Sequence, residues 1–109
     1  MGAFNVVKIP EKCEICGQTI ERKVQFKYGE VWQHEYDLGD KLLWGANNFG
    51  DPQFTQVVVD GAGEDCPNCR STGEDYEVWI TNGKISDVRR ATGEYDFVKT
   101  QGKFILIKP

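Results

Sequence analysis

Four cysteines, and no others, fall in two equally spaced pairs, Cys13-Glu14-Ile15-Cys16 and Cys66-Pro67-Asn68-Cys69. In a Cys-x-x-Cys turn the two intervening residues let the backbone curl until both sulfurs face one point. Two such turns supply the four thiolates of a tetrahedral metal site. The neighbouring residues suit the turns. Gly17 follows Cys16, where a chain closing around a metal often needs a positive φ that glycine adopts cheaply. Pro67 presets φ in the second turn, and Asn68 is a natural turn residue. Rival readings fit less well. Disulfides need an oxidising compartment, whereas residues 1–8 carry neither a basic start nor an apolar run of signal length. A redox Cys-x-x-Cys site opens a helix in a βαβ pattern, and none is visible.

The expected ion is one structural zinc per chain, held by Cys13, Cys16, Cys66 and Cys69. Iron also accepts four tetrahedral sulfurs, but the second pair sits among Glu64, Asp65, Arg70, Glu74 and Asp75, a hydrated acidic setting that favours zinc. The first pair, Cys-Glu-Ile-Cys-Gly, resembles the knuckles of the zinc-ribbon and rubredoxin-like class. The second resembles them through Cys-Pro-Asn-Cys and then places Arg70 where that class has Gly. The resemblance covers residues 12–18 and 65–73. It implies a ribbon of antiparallel hairpins, a bound metal, and for zinc ribbons frequent nucleic-acid binding. The 49 residues between Cys16 and Cys66 exceed ribbon spacing and must form strands of their own.

No other constellation carries chemistry. Four thiolates fill a zinc shell and leave no position for a reactive water. His34 is the only histidine, so no histidine-based dyad or catalytic metal site is available, and amphipathic packing is its expected role. Asp37, Asp40, Asn47, Asn48 and Asp51 could bind calcium or a small polar ligand, but they lack EF-hand spacing and turn formation is their expected role. Trp32, Tyr36, Trp44 and Phe49 could instead form an aromatic protein-binding patch, with core packing as the competing use. The sequence thus favours a non-enzymatic, zinc-stabilised module that binds another protein. The alternatives are a nucleic-acid-binding ribbon and a rubredoxin-like electron-transfer protein.

At 109 residues the chain reads as a single zinc-stabilised domain spanning 1–109. Nothing reads as a membrane span, position 6 is Val where a myristoylation motif has Ser or Thr, and a cytoplasmic location is expected. The formal charge of −4 moves to about −6 when four thiolates take up a divalent ion, which disfavours a phosphate backbone as partner. The charge is uneven. Residues 60–77 hold six acids against Arg70, whereas residues 84–108 hold Lys84, Arg89, Arg90, Lys99, Lys103 and Lys108 against three acids.

The elements that must position the cysteines read as all-β. Twelve glycines, frequent turn signals and many β-branched and aromatic residues argue for short strands. Residues 3–9 form an opening strand before Pro10. Residues 20–28 alternate, with Ile20, Val24, Phe26 and Tyr28 on one face and Arg22 near an edge. Residues 20–36 are expected to form a hairpin turning at Gly29-Glu30, with Trp32, His34 and Tyr36 on one face. A short helix over 30–38 is the alternative. Residues 45–53 read as a loop, and 54–60 as a strand feeding the second knuckle. Asn82-Gly83 is a type I′ turn signal joining strands 76–81 and 84–90. It places Tyr76, Val78, Ile80 and Ile85 on one face and Trp79 and Val88 on the other. A last pair, 95–99 and 103–108, is expected to turn at Gln101-Gly102, and the run Phe104–Ile107 to be covered on both faces.

Overall fold

The computed structural model describes residues 4–45, 48–95 and 104–108. Among these there is no helix. The strands are β1 (Asn5–Lys12), β2 (Thr19–Phe26), β3 (Gly29–Glu30), β4 (Glu35–Asp37), β5 (Asn48–Phe49), β6 (Gln56–Gly63), β7 (Asp75–Thr81), β8 (Lys84–Arg90) and β9 (Phe104–Lys108). The main sheet runs β4-β1-β2-β6-β7-β8, with β9 beside the first half of β6, and β3 pairs with β5 as a separate ribbon. All pairings in the main sheet are antiparallel except β1 with β4.

The sheet curls until its ends meet at one point. Gly39 donates its amide to Ile85 O (2.7 Å), Leu42 to Gly83 O (2.8 Å), and Ile85 to Asp40 O (3.0 Å). The segment after β4 therefore closes onto the start of β8. The concave face collects Val7, Ile9, Val24, Phe26, Tyr28, Tyr36, Val57, Val59, Tyr76, Val78, Ile80 and Ile85 as one buried cluster. The period-2 pattern of β2 makes its contribution directly, with Ile20, Arg22, Val24 and Phe26 buried and Thr19, Glu21 and Lys23 exposed. Tight curling needs small residues on the inside of β6. A Cβ on Gly63 would lie 2.6 Å from the Tyr76 ring, so glycine there leaves room for that tyrosine to enter the core.

Several expectations are corrected. The opening strand passes through Pro10 to Lys12, pairing with β2 throughout. This is possible because Val6 donates to His34 O (2.9 Å), so even-numbered residues of β1 turn their amides toward β4. Pairing with β4 ends at Lys8, and Pro10 lacks its N–H on an open edge. Residues 20–36 do not form a hairpin, nor do residues 30–38 form a helix. Gly29–Glu30 pairs with β5, and β4 crosses over to run parallel to β1. Asn5 drives that crossover. Its buried side chain donates to Tyr28 O (3.1 Å) and Glu30 O (3.0 Å) and accepts from His34 N (3.1 Å), so one amide pins the whole connection to β1. As a result Trp32 is 71% exposed while Tyr36 lies in the core.

The hairpin at Asn82-Gly83 forms, with φ of 52° and 76° at its two central residues. Its faces differ from expectation because Trp79 pairs with Asp87 while Ile80 pairs with Ile85, leaving Ser86 as an extra residue. The Ser86 hydroxyl donates to Trp79 O (3.1 Å) and bonds the Thr81 hydroxyl (2.9 Å), filling the bulge. The extra residue turns Val88 inward against the core. Trp79 stays on the opposite face, under the Arg89 guanidinium at 4.7 Å. Phe104–Ile107 does form a strand, but Leu106 is 42% exposed, so it is not covered on both faces. The expected turn at Gln101-Gly102 and residues 96–99 of its partner strand lie outside the described residues.

The core ends in charge at the knuckle end. Glu11 accepts from Tyr76 OH at 2.7 and 2.9 Å and from Arg22 Nε at 3.2 Å, and Arg90 reaches it at 3.4 Å. Arg22, placed near an edge by its pattern, is 4% exposed and buried within this group. Its second arm donates to Glu64 O at 2.7 Å. Burial alone would raise the Glu11 carboxyl; donation from Tyr76 and Arg22 and the charge of Arg90 outweigh it and hold the group below its ordinary value of 4.5. Burial, followed by donation to Glu11, raises the Tyr76 phenol to about 12.

A carboxyl depressed on folding contributes stability that is full above the unfolded value and fades as pH falls through the folded one. Glu11→Gln is therefore expected to cost about 2 kcal/mol at pH 7. The gap in Tm between wild type and variant should close as melts are taken from pH 7 to below 4. An equal gap at every pH would show that the carboxylate charge is not what holds this end together.

Candidate metal centre

Each knuckle is the turn of a hairpin. Lys12 pairs with Thr19, so Cys13–Gln18 forms the connection between β1 and β2. Ala62 pairs with Asp75 and Gly63 donates to Glu74 O (2.8 Å), so the second knuckle closes β6 onto β7. The two hairpins lie side by side because β2, leaving the first knuckle, pairs antiparallel with β6, entering the second: Val24 faces Gly63 and Phe26 faces Gly61. Glu64 N then donates to Lys23 O (2.8 Å), carrying the pairing to the threshold of Cys66.

The two turns repeat each other bond for bond. Gly17 N donates to Cys13 O and Arg70 N to Cys66 O, both at 2.8 Å; Cys13 N donates to Gln18 O and Cys66 N to Ser71 O, both at 2.9 Å. Gly17 has φ of 73°, and Arg70 takes the same left-handed conformation at 62°. Arginine in place of glycine does not alter the turn; it makes the turn strained, by about 1–2 kcal/mol for a residue bearing a Cβ.

All four thiol sulfurs lie within 4.8 Å of one another. Across the knuckles, Cys13 lies 3.8 Å from Cys69 and Cys16 lies 3.9 Å from Cys66. Four sulfurs each about 2.3 Å from one tetrahedral ion stand about 3.8 Å apart, so the donor set fits a metal ion. The cysteines are free. Cys13 and Cys66 are buried against Ile20, Cys16 is half-buried and Cys69 exposed, so the site sits at the surface on a small apolar floor separate from the main core.

The surroundings favour thiolate at two of the four sulfurs. The Cys16 backbone amide, followed by the Ser71 hydroxyl, lowers the Cys13 thiol to about 6. The Ser71 hydroxyl, and then its backbone amide, lowers Cys69 as well. At Cys66 the Cys69 amide favours the thiolate, but burial and the hydrogen bonds with its neighbouring thiols leave that group raised. Ser71 was not singled out in the sequence. Its place two residues after Cys69 is the only signal that could have flagged it.

The other candidate residues do not join the site. His34 stands by the start of β1, at the opposite end of that strand from Cys13, with Nε2 3.0 Å from Glu30 Oε1. The aromatic four do not form one exposed patch. Tyr36 is buried with its hydroxyl accepting from Leu43 N (3.1 Å), Trp44 is half-buried edge-on to Tyr28 at 5.6 Å, Phe49 is half-buried in β5, and of the four only Trp32 is exposed. A curled sheet of this size uses its aromatics to plug the end away from the knuckles. The acidic loop serves its own backbone: Asp40 accepts from Asp37 N (2.7 Å), Asn48 from Gly45 N (2.8 Å) and Asp51 from Gln53 N (2.8 Å). Asn47 lies outside the described residues. Of the basic residues, Arg89 pairs with Asp87 and covers Trp79, while Arg90 pairs with Glu11, Glu14 and Glu74. Lys99 and Lys103 lie outside the described residues.

Compared with known proteins, the sequence matches no family model, no curated protein and no solved structure, so the site is interpreted on its own geometry. The chain is an all-β domain with four cysteines placed to bind one metal ion. No helix in the described residues is long and apolar enough to cross a membrane.

The strain at Arg70 gives a direct check on the knuckle geometry. Arg70→Gly is expected to stabilise the metal-saturated protein by about 1 kcal/mol, raising Tm by several degrees. Loss of stability would mean that the second turn does not adopt the left-handed conformation.

Proposed function

We propose that this protein is a non-catalytic, zinc-stabilised domain that binds another protein. The observation that carries the metal assignment is the gathering of four sulfurs within 4.8 Å, contributed by two independent turns, with the two cross-knuckle distances near a tetrahedral edge. Four protein ligands complete the shell of a structural zinc and leave no position for a substrate or a reactive water. Zinc is preferred to iron because Cys69 is exposed and the second knuckle is flanked by Glu64, Asp65 and Glu74, a wetter setting than a covered iron–sulfur electron carrier uses.

The chain's own residues have divided duties there. Cys13 and Cys66 are the buried anchors, Cys16 and Cys69 close the shell from the solvent side, and Ile20 excludes water beneath. A zinc ion bound there supplies a cross-link between the two hairpins, and zinc–thiolate binding is worth on the order of 10 kcal/mol in small domains. A protein partner is supported by the apolar side chains left in solvent along the segment between β3 and β5, namely Trp32 at 71%, Leu43 at 52% and Leu38 at 50% exposure. Nucleic acid is less well supported, since Arg89 and Arg90 are already committed to acidic and aromatic neighbours.

Native mass spectrometry on protein purified without added metal is expected to show one zinc per chain. A strong chelator should remove it and lower Tm sharply, and Cys16→Ser should prevent loading at equimolar zinc. Bound iron with visible absorption would replace this reading with electron transfer, and a metal-free folded protein would end the metal assignment. For the partner, Trp32→Ser combined with Leu43→Ser is expected to leave zinc content unchanged and stability within about 1 kcal/mol of wild type. The same pair should abolish the cross-links to specific proteins that wild type forms in cells. Retention of those cross-links would exclude this segment as the binding surface.

A further inference from the structure

We infer that Ser71 is a positioning residue of the metal centre: with a metal bound, its hydroxyl, which lies near sulfurs of both knuckles, donates to the Cys69 thiolate and fixes it. The inference rests on the reading of the four cysteines as a metal site. It concerns what orients them.

The backbone of each knuckle treats its first cysteine alike. The amides of Ile15 and Cys16 point to the Cys13 sulfur, and those of Asn68 and Cys69 to the Cys66 sulfur. The Cys69 N to Cys66 Sγ distance is 3.5 Å. Such bonds come with the turn whatever its side chains. The carbonyls of Gln18 and Ser71 also hold equivalent positions, each accepting from the amide of its first cysteine.

The side chains at these two positions break the symmetry. Gln18 is exposed. Ser71 is half-buried, and its Oγ lies 3.2 Å from Cys69 Sγ and 3.6 Å from Cys13 Sγ. Those two sulfurs are themselves 3.8 Å apart across the gap between the hairpins. With a metal bound neither sulfur carries a proton, so the hydroxyl is the donor, and its single proton goes to the nearer sulfur, Cys69. Cys69 is the exposed ligand, so its lone pairs would otherwise be oriented by mobile water. A donor fixed to the same turn holds that thiolate in place and withdraws charge from it, and outer-shell partners of this kind typically change metal affinity 10–100-fold.

The test is cobalt titration of wild type, Ser71→Ala and Ser71→Thr, followed by displacement with zinc. Wild type is expected to give the intense sulfur-to-cobalt charge-transfer bands of a tetrahedral four-thiolate site. Ser71→Ala should bind both metals about 10–100-fold more weakly. Its charge-transfer band should move to longer wavelength, because a thiolate without its hydrogen bond gives up an electron more readily. Ser71→Thr keeps the hydroxyl and should restore both affinity and band. If the alanine variant matches wild type in band and affinity, or threonine restores neither, the positioning role is wrong while the metal site stands. If wild type gives no thiolate–cobalt spectrum, the metal reading fails first and Ser71 has nothing to position.

Discussion

The pairing of β2 with β6 is the contact on which the rest of this structure depends. It spans only Val24–Phe26 against Gly61–Gly63, with one further bond from Glu64 to Lys23, yet it joins a strand leaving one knuckle to a strand entering the other. Antiparallel pairing sends both knuckles to the same end of the sheet, and the register sets them level. A slip of one residue would turn every inward side chain of one hairpin outward and would carry Cys66 away from Cys16. Four sulfurs meet within 4.8 Å because a few backbone hydrogen bonds lie elsewhere.

The buried polar group beneath the knuckles reinforces that register. Glu11 lies two residues before Cys13, and the Glu64 carbonyl two residues before Cys66; Arg22 binds both. Tyr76 on β7 and Arg90 on β8 complete the set. A carboxylate buried here without those donors would be costly, but with them its satisfaction depends on every strand near the knuckles being in place. The metal centre is thus supported twice, by a ladder at its side and by a charged hub at its root. The apolar core of the curled sheet is a separate cluster from the Cys13–Ile20–Cys66 floor, so the cysteine site and the main core occupy adjoining parts of the domain.

Much of the fold was legible because it rests on local chemistry. Asn82-Gly83 specifies its turn through the positive φ both residues adopt, and the alternation Ile20, Val24, Phe26 specifies a half-buried strand through the two-residue period of a pleat. Where reading failed, a non-local bond had overridden the local pattern. The residues after Gly29 look like the return strand of a hairpin, but Asn5, far back in the chain, captures the backbone of Tyr28, Glu30 and His34 and sends β4 to the other side of β1. Val88 was assigned to the wrong face because one bulge residue, Ser86, shifts everything after it. Residue type leaves Tyr36 open between a surface patch and the core and points Arg22 to an edge, because burial depends on which strands arrive alongside.

By itself the sequence singled out the four cysteines and the kind of site they can form. Two Cys-x-x-Cys turns with their local partners can each present two thiolates, since that geometry needs only a few consecutive residues. It also determined the all-β class, through propensity and period. Only the tertiary structure decided that the two turns face each other at 3.8–3.9 Å, that Arg70 can stand where Gly17 stands, and that a serine with no motif of its own touches two of the four sulfurs. The facing of the turns and the approach of Ser71 to Cys13 depend on contacts between residues 50 to 58 positions apart, and short-range patterns carry no record of which distant partner a strand will meet.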